Sequence, residues 1–206
     1  TPSFDPADDA EVAKVAAGDS NYDGAYLNRF LSGTYTPGST FKLVTSAAAL
    51  ETLHNENSFS YTCKGSLTLN GEKITCPSVH GTQDFATALA NSCNGAFATL
   101  ATQVGGKTLE KYAQEAGLTS TVNVNGLNSA AGNFTAGTSD NDVGWSGVGQ
   151  YKDLVNPCAE LTLMGCIAQG GSAATPRLLK SVTSSKGLPV AHVTTETSQI
   201  GWKTDT

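Results

Sequence analysis

Two residues carry the strongest chemical signal in the sequence. Lys42 follows Ser39 by one helical turn and is the only charged residue between Arg29 and Glu51. The segment reads Thr36-Pro37-Gly38-Ser39-Thr40-Phe41-Lys42-Leu43-Val44-Thr45 and runs on through Ala47, Ala48, Ala49 and Leu50. Pro37 and Gly38 break the chain, and Ser39 is a residue type favoured as a helix N-cap. From Thr40 onward the residues are apolar or small on every face, which predicts a buried helix over Ser39–Leu53. Residues three apart share one face of a helix, so Ser39 Oγ and Lys42 Nζ become neighbours in a low-dielectric setting. Burial disfavours the ammonium and moves the lysine toward its neutral, basic form. A neutral amine beside a hydroxyl makes a serine nucleophile without histidine. Ser-x-x-Lys by itself is a weak pattern, and most such lysines reach back to water. The Pro-Gly lead-in and the apolar helix single this one out.

A second polar group is Ser92-Cys93-Asn94, placed between two short helical patterns where a loop can aim both side chains into a cleft. A hydroxyl there could relay a proton between Lys42, Ser39 and a leaving amine. A neutral amide such as Asn94 can hold a peptide group with one donor and one acceptor. The competing reading is that Asn94 caps the helix that follows; both roles can hold together.

Elements that would position these groups are legible along the chain. A short helix is expected around Ala7–Ala17. Residues 58–77 read as a hairpin around Asn70-Gly71, a strong two-residue turn signal. Thr82–Leu89 reads as a helix with Phe85 and Leu89 on one face. Phe97, Leu100, Ala101 and Val104 form the apolar stripe of another, stopped by Gly105-Gly106. A helix over 108–116 ends at Gly117. Residues 118–150 are rich in Ser, Thr, Asn and Gly with little periodicity, the pattern of a functional rim. Asn156-Pro157 opens a helix to about Gln169, with Asn as cap and Pro in the first position. Residues 176–206 alternate weakly, as strands do.

With 206 residues the chain suits one domain or one with a subdomain. Its net charge of −6 and pI near 4.9 argue against a nucleic-acid partner. No apolar run approaches the roughly 18–20 residues of a membrane span, and no signal peptide is recognisable. The start at Thr1-Pro2-Ser3-Phe4-Asp5-Pro6, without an initiator Met, leads us to expect a piece of a longer protein with any anchor upstream. Cys63 and Cys76 flank the hairpin pattern. With Asn70-Gly71 as the loop, Cys76 pairs with Gly65 and Cys63 falls two residues further on the same face. A disulfide across the open end is one reading, worth about 3 kcal/mol in the chain-entropy model and pointing to an oxidising compartment; two free thiols are the other. Cys158 and Cys166 are expected to pack as small apolar residues. Without Cys-x-x-Cys or His-Glu-x-x-His, neither a metal site nor a cofactor is expected.

The residues resemble the transpeptidase domain of penicillin-binding proteins, enzymes that cross-link peptidoglycan. Asn28-Arg29-Phe30-Leu31-Ser32-Gly33-Thr34-Tyr35-Thr36-Pro37-Gly38-Ser39-Thr40-Phe41-Lys42 resembles the family's nucleophile motif and its lead-in. Ala90-Asn91-Ser92-Cys93-Asn94 resembles the second motif. Thr1–Pro6 resembles the strand that opens the domain in class B members. Gly149-Gln150 through Asn156-Pro157, then Ala168-Gln169-Gly170-Gly171 and Thr175-Pro176, resembles the stretch before the third motif. The resemblance implies an α+β fold: an antiparallel sheet carrying the end strands, a helical subdomain over roughly 40–170, and an active site between them. It implies that Ser39 attacks the penultimate D-alanine carbonyl of a stem peptide and that Lys42 takes the Ser39 proton. Ser92 would pass a proton to the departing D-alanine, and Asn94 would bind the acyl-side amide. The Ser39 N–H would supply half of an oxyanion hole. β-Lactams would acylate Ser39. The implied setting is the extracytoplasmic face of a bacterial membrane, with lipid-linked precursor as substrate and wall-synthesis membrane proteins as partners.

The sequence also departs from the family. The third motif, Lys-Thr-Gly or Lys-Ser-Gly, is absent: Lys107-Thr108 is followed by Leu109, and Lys203-Thr204 by Asp205. We read Lys203-Thr204 as a decoy and expect the true motif beyond Thr206, which makes the domain partial. Tyr151 stands where the family has glycine. The other readings are a serine β-lactamase, which shares Ser-x-x-Lys, and a β-lactam sensor or inactive scaffold. A Ser-His-Asp hydrolase is disfavoured, since Gly144-Trp145-Ser146-Gly147-Val148 fails the nucleophile-elbow pattern and His54, His80 and His192 have no such serine to serve.

Overall fold

The computed structural model describes residues 2–191, 193–203 and 205–206; Thr1, His192 and Thr204 lie outside the described residues. The helices are α1 (Asp9–Ala16), α2 (Arg29–Ser32), α3 (Lys42–Thr52), α4 (Phe85–Ala90), α5 (Asn94–Val104), α6 (Gly106–Glu115), α7 (Asp140–Gly147) and α8 (Pro157–Ala168). The strands are β1 (Tyr61–Cys63), β2 (Ser66–Leu69), β3 (Glu72–Thr75), β4 (Gly81–Gln83), β5 (Asn123–Val124), β6 (Leu127–Asn128), β7 (Ser172–Ala174), β8 (Val182–Thr183), β9 (Pro189–Ala191) and β10 (Thr197–Gln199). They pair antiparallel as β1–β4, β2–β3, β5–β6, β7–β10 and β8–β9. The fold is α+β, as expected.

Local chemistry explains most boundaries. Asp8 starts α1 by accepting from the N–H groups of Ala10 and Glu11. Asp84 starts α4 by accepting from Thr87 N–H, and Asn156 starts α8 by accepting from Cys158 N–H with Pro157 in the first position. Asn70 and Gly71 both take positive φ, the backbone a two-residue hairpin turn requires, and set Leu69 opposite Glu72. Cys76 N–H donates to Gly65 O at 2.9 Å, the pairing expected at the hairpin's open end.

The core is built around α5. Phe97, Leu100 and Ala101 are fully buried and meet buried residues of α3 (Val44, Ala47, Ala48) and α6 (Leu109, Ala113). Phe41 stacks on Phe134 with ring centroids 4.5 Å apart. Cys158 and Cys166 are buried in α8, as small apolar residues would be.

Several expectations are corrected, and the open choice between a disulfide and free thiols is decided. Ser39 is not a helix cap: Gly38–Phe41 forms a 3-10 turn, and α3 begins at Lys42. Tyr61–Cys63 pairs with Gly81–Gln83 and not across the hairpin, so the hairpin covers only 66–75, and Thr82 and Gln83 belong to a strand that precedes α4. All five cysteines are free thiols. Pro2–Asp5 pairs with no strand among the described residues.

Residues 118–150 are not all rim. They contain α7, whose Val143, Gly144, Ser146 and Gly147 are buried against α5. Its helical stripe is invisible in sequence because glycine supplies the contact. A Cβ on Gly147 would stand 2.2 Å from the Ala101 Cβ, so the two backbones approach closely only with glycine there. Just beyond α7, Asp153 is buried with neither carboxylate oxygen in ordinary hydrogen-bond geometry. Burial pushes its carboxyl up to about 7, with Tyr151 N–H and Ser146 opposing the shift only in part.

Candidate active site

The turn that carries Ser39 is anchored before it starts. Tyr35 and Val155 exchange backbone hydrogen bonds at 2.9 and 2.8 Å, and Gly38 N–H donates to Gly149 O at 2.9 Å. The buried Asn156 side chain donates to Leu31 O at 2.9 Å and Gly33 O at 2.7 Å while its Oδ1 caps α8. One amide thus locks the lead-in of the turn to the start of a helix far away in sequence. The 3-10 turn then does what an α-turn does less well: it eclipses residues i and i+3. Ser39 is exposed at the surface while Lys42, one turn on, is 1% exposed.

Ser92 reaches the same point from the end of α4. Ser92 N–H donates to Leu89 O and Cys93 N–H to Ala88 O, both at 2.9 Å, which closes the helix as a Schellman motif. Its left-handed position is usually glycine, yet Ser92 occupies it with φ +51°. That conformation costs an L-residue about 1–2 kcal/mol. It turns the hydroxyl back toward α3, and α5 begins directly afterwards at Asn94.

Around Lys42 Nζ the contacts converge. Nζ lies 2.9 Å from Ser39 Oγ, 3.0 Å from Ser92 O, 2.8 Å from Ser92 Oγ and 2.7 Å from Asn94 Oδ1. Ser92 Oγ donates to Ser39 Oγ at 2.8 Å. Asn94 Nδ2 donates to Thr75 O at 2.7 Å, so Asn94 is held by β3 and does not cap α5 through its side chain. Two of the lysine's partners, Ser92 O and Asn94 Oδ1, can only accept. A neutral amine has two N–H groups and one lone pair. Satisfying both carbonyls leaves the lone pair facing the hydroxyls, ready to receive the Ser39 proton. Burial lowers Lys42 from the ordinary lysine value to about 8, with charge at Cys76 and Cys93 acting the other way. The arrangement can deprotonate a serine and relay a proton through a second one.

All four residues singled out in the sequence, Ser39, Lys42, Ser92 and Asn94, therefore meet at one point. Two supporting groups were not foreseen. Thr75 contributes only a carbonyl, which every residue has. Asn156 was legible as a cap but not as the clamp on Leu31 and Gly33. Lys203 lies well away from the centre: its N–H donates to Glu51 at 2.8 Å, near the far end of α3 from Ser39. That helix of 11 residues is about 16 Å long, so the decoy reading of Lys203 agrees with its place. Tyr151 has its ring under Lys152 Nζ, 5.1 Å from the centroid.

Ser92→Gly separates strain from chemistry. Relief of about 1–2 kcal/mol of left-handed strain, less about 0.5–1 kcal/mol for the extra freedom of glycine, predicts a variant more stable by up to about 1.5 kcal/mol. The same change removes the hydroxyl that contacts both Lys42 Nζ and Ser39 Oγ, so acylation of Ser39 should slow by at least tenfold. Ser92→Ala should slow acylation equally without the stability gain. Urea melts and acylation rates of the two variants check both halves.

A family model of the penicillin binding protein transpeptidase domain matches residues 1–204. The chain is 30% identical over 209 aligned positions to peptidoglycan D,D-transpeptidase PbpA of Mycobacterium tuberculosis, covering 95% of this chain and 42% of that protein. It is 36% identical over 121 positions to stage V sporulation protein D of Bacillus subtilis, covering 56% of this chain and 17% of that one. The chain thus spans less than half the length of these relatives. Its fold superposes on penicillin-binding protein A from M. tuberculosis, in a ceftriaxone acyl-enzyme complex, with a TM-score of 0.85 and 25% identity over 100% of this chain and 49% of the other. On the match over nearly its whole length and the shared fold, the chain belongs to the penicillin-binding protein transpeptidase family.

Proposed function

We propose that this chain carries the serine, lysine and second-motif residues of a serine D,D-transpeptidase centre acting on D-Ala-D-Ala stem peptides. The observation that carries the reading is the closed network of Ser39, Lys42, Ser92 and Asn94, in which a buried amine, once neutral, can turn its lone pair to the nucleophile's proton. Ser39 Oγ attacks the penultimate D-alanine carbonyl as its proton passes to Lys42 Nζ. The tetrahedral adduct collapses, the C–N bond breaks, and a proton returns through Ser92 to the leaving D-alanine amine. An amine from a second stem peptide then attacks the ester, forms the cross-link and restores Ser39. Asn94 Nδ2 and Oδ1, already placed by Thr75 and Lys42, orient the acyl-side amide. β-Lactams present the same carbonyl with a leaving group that stays tethered, so the acyl-enzyme persists.

The setting that fits is the outer face of a bacterial membrane, where lipid-linked precursor and the wall-synthesis machinery meet. No helix among the described residues is long and apolar enough to cross a membrane. The test is release of free D-alanine from a D-Ala-D-Ala pentapeptide with an added amine acceptor. D-Alanine with an amide product, and slow turnover of a chromogenic cephalosporin, is the expected result. Rapid hydrolysis of the cephalosporin would assign the chain to β-lactam hydrolysis instead. Stable acylation by penicillin without peptide turnover would make it a sensor or scaffold.

A further inference from the structure

Behind the second motif the fold gathers four soft or borderline donors that sequence spacing does not advertise. The ligating atoms of Cys63, Cys76, His80 and Cys93 all lie within 4.8 Å of one another. They come from the end of β1, the residue after β3, the loop into β4, and the residue between Ser92 and Asn94. The pattern is Cys-x12-Cys-x3-His-x12-Cys, which lacks the short Cys-x-x-Cys pair by which such sites are usually read. The expectation of no metal site rested on that missing pair, and tertiary structure supplies the proximity instead.

We propose that Cys63, Cys76, His80 and Cys93 form a structural zinc site that staples the β-strands to the Ser92-Cys93-Asn94 loop. The dimensions fit a tetrahedron. Zn–S bonds of about 2.3 Å and a Zn–N bond of about 2.0–2.1 Å put sulfurs about 3.8 Å apart and sulfur about 3.5 Å from nitrogen. Cys76 Sγ and Cys93 Sγ are 3.9 Å apart. Cys63 and Cys93 are buried, and His80 Nδ1 is buried with no hydrogen-bond partner, an orphan that protein interiors rarely tolerate. Backbone N–H groups already point at the sulfurs as they do around metal-bound thiolates. Gly95 N–H donates to Cys76 Sγ at 3.2 Å, and the N–H groups of His80 and Gly65 face Cys63 Sγ.

Electrostatics favours a cation there. Three thiolates this close repel, so the empty cluster cannot ionise fully, whereas Zn2+ holds all three. Three thiols release three protons to solvent on binding, neutral His80 contributes its lone pair, and the site carries one net negative charge. The consequence reaches the centre next door. Cys93 sits between the relay hydroxyl of Ser92 and the amide of Asn94, and Cys76 follows the carbonyl of Thr75 that holds Asn94. The metal would fix both ends of that contact and support the left-handed turn at Ser92. The competing staple is a Cys76–Cys93 disulfide, which would leave Cys63 and His80 without a role.

The deciding experiment measures zinc per chain by elemental analysis and native mass spectrometry on protein purified without chelator, with thiols counted after denaturation. One zinc per chain with five titratable thiols is expected, and Co2+ in its place should show thiolate-to-cobalt charge-transfer absorption. Cys63→Ser and His80→Ala should each cut zinc content at least tenfold, while His80→Cys, which keeps four donors, should retain it. Absence of zinc from the native protein after incubation with ZnCl2 would overturn the proposal. So would a Cys76–Cys93 disulfide that survives in both Cys63→Ser and His80→Ala. Should those variants not fold, the stoichiometry and cobalt spectrum of the unaltered protein still decide. None of these readouts depends on the Ser39 chemistry, so either reading can fail alone.

Discussion

Ser39→Ala is expected to abolish covalent labelling by a penicillin, seen as loss of the single mass adduct, while the fold is kept. Among the described residues, Ser39 Oγ is the one exposed hydroxyl that both Lys42 Nζ and Ser92 Oγ approach within 3 Å. It caps no helix and is exposed, so the change in stability should stay within about 0.5 kcal/mol, as for surface substitutions generally. Lys42 keeps its other acceptors, Ser92 O and Asn94 Oδ1, and is not left as an unpaired buried cation. The effect on acylation is expected to be all or none because Ser39 Oγ is the proposed ester-forming atom and the Ser92 hydroxyl beside it serves as its proton relay. An adduct that persists in Ser39→Ala would overturn the assignment of the nucleophile.

Lys42→Met should lower the acylation rate by about 10²–10⁴, the range a positioned general base supplies. Lys42→Arg should not rescue it, since a guanidinium stays protonated and has no lone pair to offer. The unaltered protein should acylate faster as pH rises through about 8, where Lys42 becomes neutral, and then reach a plateau. Stability follows the same group. The folded pKa of Lys42, about 8, is below the ordinary value of 10.5, so the folded chain binds fewer protons than the unfolded chain between them. Its contribution to stability is present above pH 10.5 and is lost as pH falls through about 8. Lys42→Met should lose that slope. Rates measured by stopped-flow with a chromogenic β-lactam, and melting temperatures across the same pH range, check both. A rate that is flat from pH 6 to 10 would remove Lys42 from the role of base.

Much of this was legible beforehand because local chemistry decides it. Pro37-Gly38 must break the chain, Asn70-Gly71 must turn it, and Asn156-Pro157 must start a helix, whatever lies around them. The Ser39–Lys42 pair is of the same kind, since the contact is made within one turn. Helix α7 was not legible, because Gly147 marks its buried face by lacking a side chain. The partner of Tyr61–Cys63 was not legible either. Strand pairing is a choice between edges distant in sequence, and the Asn70-Gly71 turn drew the reading toward the nearer one.

The sequence by itself determined the Ser39–Lys42 contact and the family, because these rest on residue types at short spacing. Tertiary structure alone decided which atoms face the lysine. It set Ser92 in a left-handed turn, gave Asn94 to Thr75, clamped the lead-in with Asn156, and brought three cysteines and a histidine behind the motif. The physical reason is range. Turn and helix preferences act over a few bonds and are written residue by residue, whereas the convergence of Lys42 with Ser92 and Asn94 depends on how α5 packs against α3, and that packing is a property of the whole core.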